Sequence, residues 1–320
     1  MKRTNCGGNV PTGKMLARAQ QFVTDPDNWW AHDLQLWVEM FVTVNLGILA
    51  ADIYIAHSVN SFEKPAEYIP LFFSLGAPLL LLCVTAIRWI WDFEAPWRDV
   101  GYLIGWVSIL VGLAGVIFHL ESRFFLDRTL KSLTYAAPFA APLAYTGLGF
   151  LLLVNRMVTS TSAEWARWII LLALGGFFGN FILSLTDHAS NGFFLQTEWI
   201  PVVSSAFATG FLLVPLTVRI TRRFMDLCLV VMFAQGLVGV LGFWFHMRAN
   251  LVQPGHNLFD KLVNGAPPMA PLLFPNLVGL ALIGMWALIP HLSEGAASGS
   301  WLGCAYLWAH SREETKYATD

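Results

Sequence analysis

Eight apolar runs of about 20 residues alternate with short polar stretches along the chain, at 34–56, 68–87, 100–119, 135–154, 165–185, 199–218, 224–246 and 267–288. A helix rising 1.5 Å per residue needs roughly 20 such residues to cross ~30 Å of hydrocarbon. Backbone polar groups find no partner in lipid, so runs of this kind must be helical. The pattern predicts an all-α integral membrane protein with eight transmembrane helices. A polar segment, 1–33, precedes them and a tail, 291–320, follows. The apolar patch 301–308 in the tail is too short to span and is expected to lie in the interface. The first 28 residues contain no apolar stretch, so the first span, not a cleavable signal, is expected to direct insertion.

The pattern also repeats. His57-Ser-Val-Asn60-Ser-Phe62 leads to Glu67-Tyr68-Ile69-Pro70, and His188-Ala-Ser-Asn191-Gly-Phe193 leads to Glu198-Trp199-Ile200-Pro201. At this offset of 131, six of fourteen positions are identical, which is far above chance. Gly115 to His119 matches Gly242 to His246 at an offset of 127, and Ala137 to Leu143 matches Ala266 to Leu272 at 129. The offset drifts between helices, where insertions are tolerated. These matches predict a tandem duplication of a four-helix unit, with one copy over 34–156 and the other over 165–290. Four crossings per unit return the chain to the same side. The copies are therefore expected to be parallel, related by an axis along the membrane normal.

Charge sets the orientation. With the N-terminus inside, 13 Lys and Arg fall on the cytoplasmic side and 6 on the other, so both termini are expected in the cytoplasm of a cell-membrane protein. Only 12% of residues are charged, about half the share of a soluble domain. The formal charge of −2 offers no basic face for nucleic acid. The four cysteines, Cys6, Cys83, Cys228 and Cys304, have no CxxC spacing, which argues against a disulfide framework or a zinc-thiolate site.

Topology then gathers the scarce polar residues. His57, His119, His188 and His246 end spans 1, 3, 5 and 7, so all four are expected at the outer face, with Glu67 and Glu198 opening spans 2 and 6 beside them. Imidazole is the commonest metal ligand near neutral pH, and facing helices of a bundle are a standard place for such a centre. Two chemistries are open. The four histidines could ligate haem b, with Gly112 and Gly115, and their counterparts Gly239 and Gly242, making room for the macrocycle. Alternatively the histidines with Glu67 and Glu198 form a mixed N/O set suited to iron, copper or zinc. Each feature also has a plain structural role. Histidine suits a helix C-terminus, asparagine can stop a helix, a carboxylate suits a first turn, and small residues serve helix packing.

Other polar residues inside spans are costly and invite a role. Asn45 and Asp52 share a face of span 1, and Glu39 lies off it near the inner boundary. Asp52, which has Leu183 as its counterpart, reads as a hydrogen-bonded packing residue. Glu121 and Arg248 occupy matched positions and could pair across the axis, and His256 in an outer loop reads as a solvated histidine, with an extra ligand as the alternative. No phosphate loop, HExxH or nucleophile elbow occurs. The favoured reading is a redox or electron-transfer membrane protein with outer-face metal or haem centres, in contact with the bilayer and with other membrane or outer-face redox subunits. A small-solute or ion transporter and a non-catalytic membrane subunit are the alternatives.

Overall fold

The computed structural model describes residues 33–91 and 93–292. The segment 1–32 and the tail from 293, with its expected interfacial patch, lie outside the described residues. Those described are helical, without strands. The long helices are α1 (Leu34–Ser58), α2 (Tyr68–Trp91), α3 (Glu94–Glu121), α4 (Leu143–Met157), α5 (Ala163–Ser190), α6 (Trp199–Thr217), α7 (Arg222–Val252) and α8 (Leu273–Leu288). Short helices Phe124–Asp127 and Leu130–Thr134 precede α4, and another, Leu258–Val263, precedes α8.

Seven of the helical segments, all but α4, are long and apolar enough to cross a membrane. Their outward side chains are apolar, with Phe72 66% and Phe233 68% exposed. A soluble protein rarely leaves such large apolar surfaces uncovered, whereas a bilayer covers them. The protein is a multi-pass membrane protein.

The fourth run departs from the expected span over 135–154. Pro138 and Pro142 hold the preceding segment in turns (Ala141 N donates to Pro138 O at 3.2 Å, Leu143 N to Ala140 O at 3.1 Å), and the helix begins only after Pro142. A proline ring disfavours helical backbone in the residue before it. The resulting helix has 15 residues, about 22 Å in length.

Helix starts are marked by capping side chains. Asp33 accepts from Leu36 N (2.9 Å) at α1 and Ser162 from Trp165 N (3.1 Å) at α5, each satisfying an otherwise unpaired first-turn donor. Successive helices pack as antiparallel neighbours. Helices α1 to α4 close into a ring, with α4 returning to α1, and α5 to α8 close likewise, with α8 returning to α5. The two rings meet where α4 faces α5 and α1 faces α8. There Asn45 Nδ2 donates to Asn276 Oδ1 (3.1 Å) across the join. The short helix Leu130–Thr134 reaches over to α5, and Leu258–Val263 reaches back to α1.

The core is closest where α3 meets α4 and α7 meets α8. A Cβ on Gly112 would come within 2.8 Å of Pro142 O, and one on Gly239 within 2.7 Å of Pro271 O. Gly115 and Gly242 likewise abut Pro142 and Pro271. These four glycines admit the neighbouring helix, as small residues do in membrane bundles. The space expected for a macrocycle beside them is filled by that helix.

Candidate functional site

The candidate site forms at the end of the bundle where α1, α3, α5 and α7 finish, and its geometry occurs twice. At the end of α1 the chain closes on itself, with Phe62 N donating to His57 O at 3.1 Å; after α5, Phe193 N donates to His188 O at 2.9 Å. This six-residue closure is the Schellman pattern, which needs a left-handed residue. Ser61 (φ 57°) supplies it in the first turn and Gly192 (φ 73°) in the second. The following residues, Phe62 (φ 54°) and Phe193 (φ 49°), are left-handed too. For a bulky residue that conformation costs about 1–2 kcal/mol. It carries the Phe62 ring to 5.8 Å from the His57 ring and the Phe193 ring to 6.3 Å from that of His188. Beyond them, Phe62 stacks on Tyr68 (4.8 Å) and Phe193 on Trp199 (3.9 Å).

One 3-10 turn, Pro65–Glu67, then delivers Glu67, and Gln196–Glu198 delivers Glu198. His57 Nδ1 lies 3.5 Å from Glu67 Oε2, and His188 Nδ1 lies 3.6 Å from Glu198 Oε2. A charge-assisted N–H···O bond usually closes to about 2.7–2.9 Å, so both pairs stand open. Oε2 of each glutamate is buried and has no hydrogen-bond partner. Both positions thus leave a buried acceptor unsatisfied, which is normally avoided.

The second histidine of each set is oriented from behind. His119 Nδ1 lies 2.9 Å from Pro138 O, and His246 Nδ1 lies 2.8 Å from Pro267 O. A carbonyl only accepts, so Nδ1 carries the proton and the lone pair of the neutral ring is on Nε2. This is the backing that metal-ligating histidines usually have. The prolines that shorten α4 therefore also place the carbonyl that orients His119. His57 and His119 approach with ring centroids 6.2 Å apart.

The expected quartet is thus resolved into two sets, with His57, Glu67 and His119 in one and His188 and Glu198 in the other, where His246 holds the position matching His119. Among the described residues, no three His, Cys, Asp or Glu side chains are closed around a point that could hold a metal ion.

Two other expectations, for Asp52 and for the Glu121–Arg248 pair, are corrected. Asp52 makes no hydrogen bond or ion pair among the described residues, unlike a bonded packing residue. Glu121 and Arg248 do not pair; the Arg248 guanidinium lies 5.4 Å from the Trp244 ring centroid. His256 is exposed in its loop. His291 belongs to the opposite end, with Nε2 3.1 Å from Thr161 O. Cys83 and Cys228 are free, while His32, His310, Cys6 and Cys304 lie outside the described residues.

The partner of Glu39 had no warning in the sequence pattern. At the opposite end, Glu39 is buried against Arg156. Glu39 Oε2 lies 2.7 Å from Arg156 Nη1, and Arg156 Nη2 donates to Oε1 at 2.8 Å. The guanidinium lies 3.5 Å from the Trp97 ring centroid, and its Nε donates to Trp97 O at 3.2 Å. A charge-alternation signal could not link residues so far apart in the chain.

No known protein-family model matches the sequence, and no curated protein or solved structure shows significant similarity to it.

Proposed function

We propose that the protein is built of two parallel four-helix units, α1–α4 and α5–α8. Helix α4 with its proline turn makes the eighth crossing. Each unit carries one non-haem metal centre at the outer face of the cell membrane. The donors are His57, His119 and Glu67 in the first unit and His188, His246 and Glu198 in the second. The observation that carries this reading is the duplicated, open histidine–glutamate pair with its orphaned carboxylate oxygen. Ligand atoms bonded at about 2.1 Å lie roughly 3.0–3.4 Å apart around one ion, close to the 3.5 and 3.6 Å separations here. Rotation of the side chains closes the set, as expected where binding completes a site that is not preformed. Carbonyl backing of His119 and His246 supports the same assignment.

Two imidazoles and one carboxylate with open positions suit iron, the choice among iron, copper and zinc that also fits redox work. A non-haem ion fits better than haem b, because the glycines that offered space for a macrocycle are packed against α4 and α8. The role proposed is electron transfer at the outer face, to or from another redox subunit.

Metal analysis and an absorption spectrum of the full-length protein in detergent test this reading. The expected result is close to two iron ions per chain without a Soret band, falling to one in Glu67→Gln. Absence of stoichiometric metal overturns the metal assignment, and a stoichiometric Soret band replaces it with haem.

A further inference from the structure

The two sets of side chains share their residue types but not their supporting contacts. In the first, Asn60 Nδ2 donates to Glu67 Oε1 at 3.0 Å while its own Oδ1 accepts from Phe62 N at 3.3 Å. One amide thus ties the strained turn after α1 to the carboxylate at the start of α2. It leaves Oε2, the oxygen facing His57, as the one free to bind. In the second set the matching Asn191 turns the other way, and its Nδ2 points to Asp187 O at 3.5 Å. Among the described residues no side chain donates to Glu198. The histidines do not separate the sets: the His57 and His119 rings approach at 6.2 Å, and His188 and His246 are also close enough to interact.

A ligand already held in its binding orientation loses less freedom when the ion arrives. Hydrogen bonds behind the ligands typically change metal affinity by roughly 10- to 100-fold. The first set has one ordered element that the second lacks, the amide on its carboxylate.

We infer that the two centres are unequal: the first holds a divalent metal ion about 10- to 100-fold more tightly than the second, and Asn60 is the positioning residue that makes the difference. This rests on the metal reading above. The second centre is then the exchangeable one, filling and emptying over a range of ion concentrations in which the first stays loaded. Asn60 touches no ion; it acts through Glu67.

The test is a titration of the chelator-stripped, full-length protein in detergent with cobalt(II), a spectroscopically visible divalent probe. Two classes of site are expected, one ion each, separated by about one to two decades. Asn60→Ala should weaken the tight class toward the loose one and leave the loose class unchanged. The untouched site in the same molecule serves as the internal check on folding. Asn191→Ala should move neither class. Asn60→Gln, which keeps an amide, should recover part of the loss. A single class of two equal sites overturns the inference while leaving the metal reading intact. So does an Asn60→Ala protein with both classes unchanged or both weakened alike. Failure to bind cobalt(II) at either site overturns the metal reading and this inference with it.

Discussion

The two halves differ most at the end of the bundle away from the histidines. In the first half Gln35, Glu39, Asn155 and Arg156 meet inside the ring. Gln35 O accepts from Asn155 Nδ2 at 3.0 Å, Asn155 O accepts from Gln35 Nε2 at 3.2 Å, and the Glu39–Arg156 pair is fully buried beside them. Trp97 is flanked by two guanidinium groups, Arg156 at 3.5 Å and Arg88 at 4.0 Å from its ring centroid. Gly101 leaves room for the Arg156 guanidinium, which a Cβ there would overlap. The positions 131 or 129 residues further on hold Ala166, Ile170, Gly284 and Met285, all buried. Here Gly284 lets α8 close directly onto Ile170, to which a Cβ would come within 2.8 Å. Positions matched in sequence offset are thus filled in one ring by charge and hydrogen bonds and in the other by close apolar packing. The lesson is that the buried charges are not needed to hold four helices in this arrangement. They make the first half intolerant of partial change, since losing either partner strands the other.

The largest effect should come from breaking that pair on one side. Glu39→Ile or Arg156→Met alone leaves an uncompensated buried charge and is expected to cost about 3–5 kcal/mol. The double variant Glu39→Ile/Arg156→Met copies the second half and should recover most of that loss. Unfolding of the three proteins in mixed detergent checks this; a double variant as unstable as the sum of the singles would show that the halves are not interchangeable there.

A smaller effect tests where the halves agree. Gly112→Ala and Gly239→Ala both drive a methyl into the next helix, so each should lower stability by about 1–3 kcal/mol. The losses should be similar, as read from thermal inactivation or loss of helical signal. A marked difference would mean that α4 and α8 yield to different degrees.

The smallest concerns the turn that both halves strain. Ser61 is left-handed where the second half has Gly192. Ser61→Gly should therefore stabilise by somewhat under ~1 kcal/mol, while Gly192→Ser should destabilise by a similar amount. A melting-temperature shift of opposite sign in the two variants is the expected readout.

How much of this was legible in the sequence follows from what each feature depends on. The apolar runs gave the helices because lipid leaves the backbone no other choice. The matched His, Asn, Phe and Glu gave the twin turns because both ends of each contact lie within eleven residues. The shortening of α4 was written in Pro138 and Pro142, but the run of apolar residues around them masked it. Arg156 counted as a boundary charge, since only folding shows that α4 turns it inward to Glu39. Gly112 and Gly239 read equally well as space for a cofactor or for a helix, and only the position of Pro142 and Pro271 separates the two. Asn60 and Asn191 are identical in sequence, so nothing short of the folded turns distinguishes their bonds.

The short helices Leu130–Thr134 and Leu258–Val263 each rest on the first helix of the opposite ring, reciprocally. The Phe259 ring sits 5.8 Å from that of Tyr54, three residues before His57. Such an exchange of lids is how swapped dimers are joined. It ties the two rings at that end, since a short helix from each stretch of chain rests on the other's first helix. The connection at 158–162 is then a tether between two bodies that already clasp each other, and their union rests on the clasp more than on the tether.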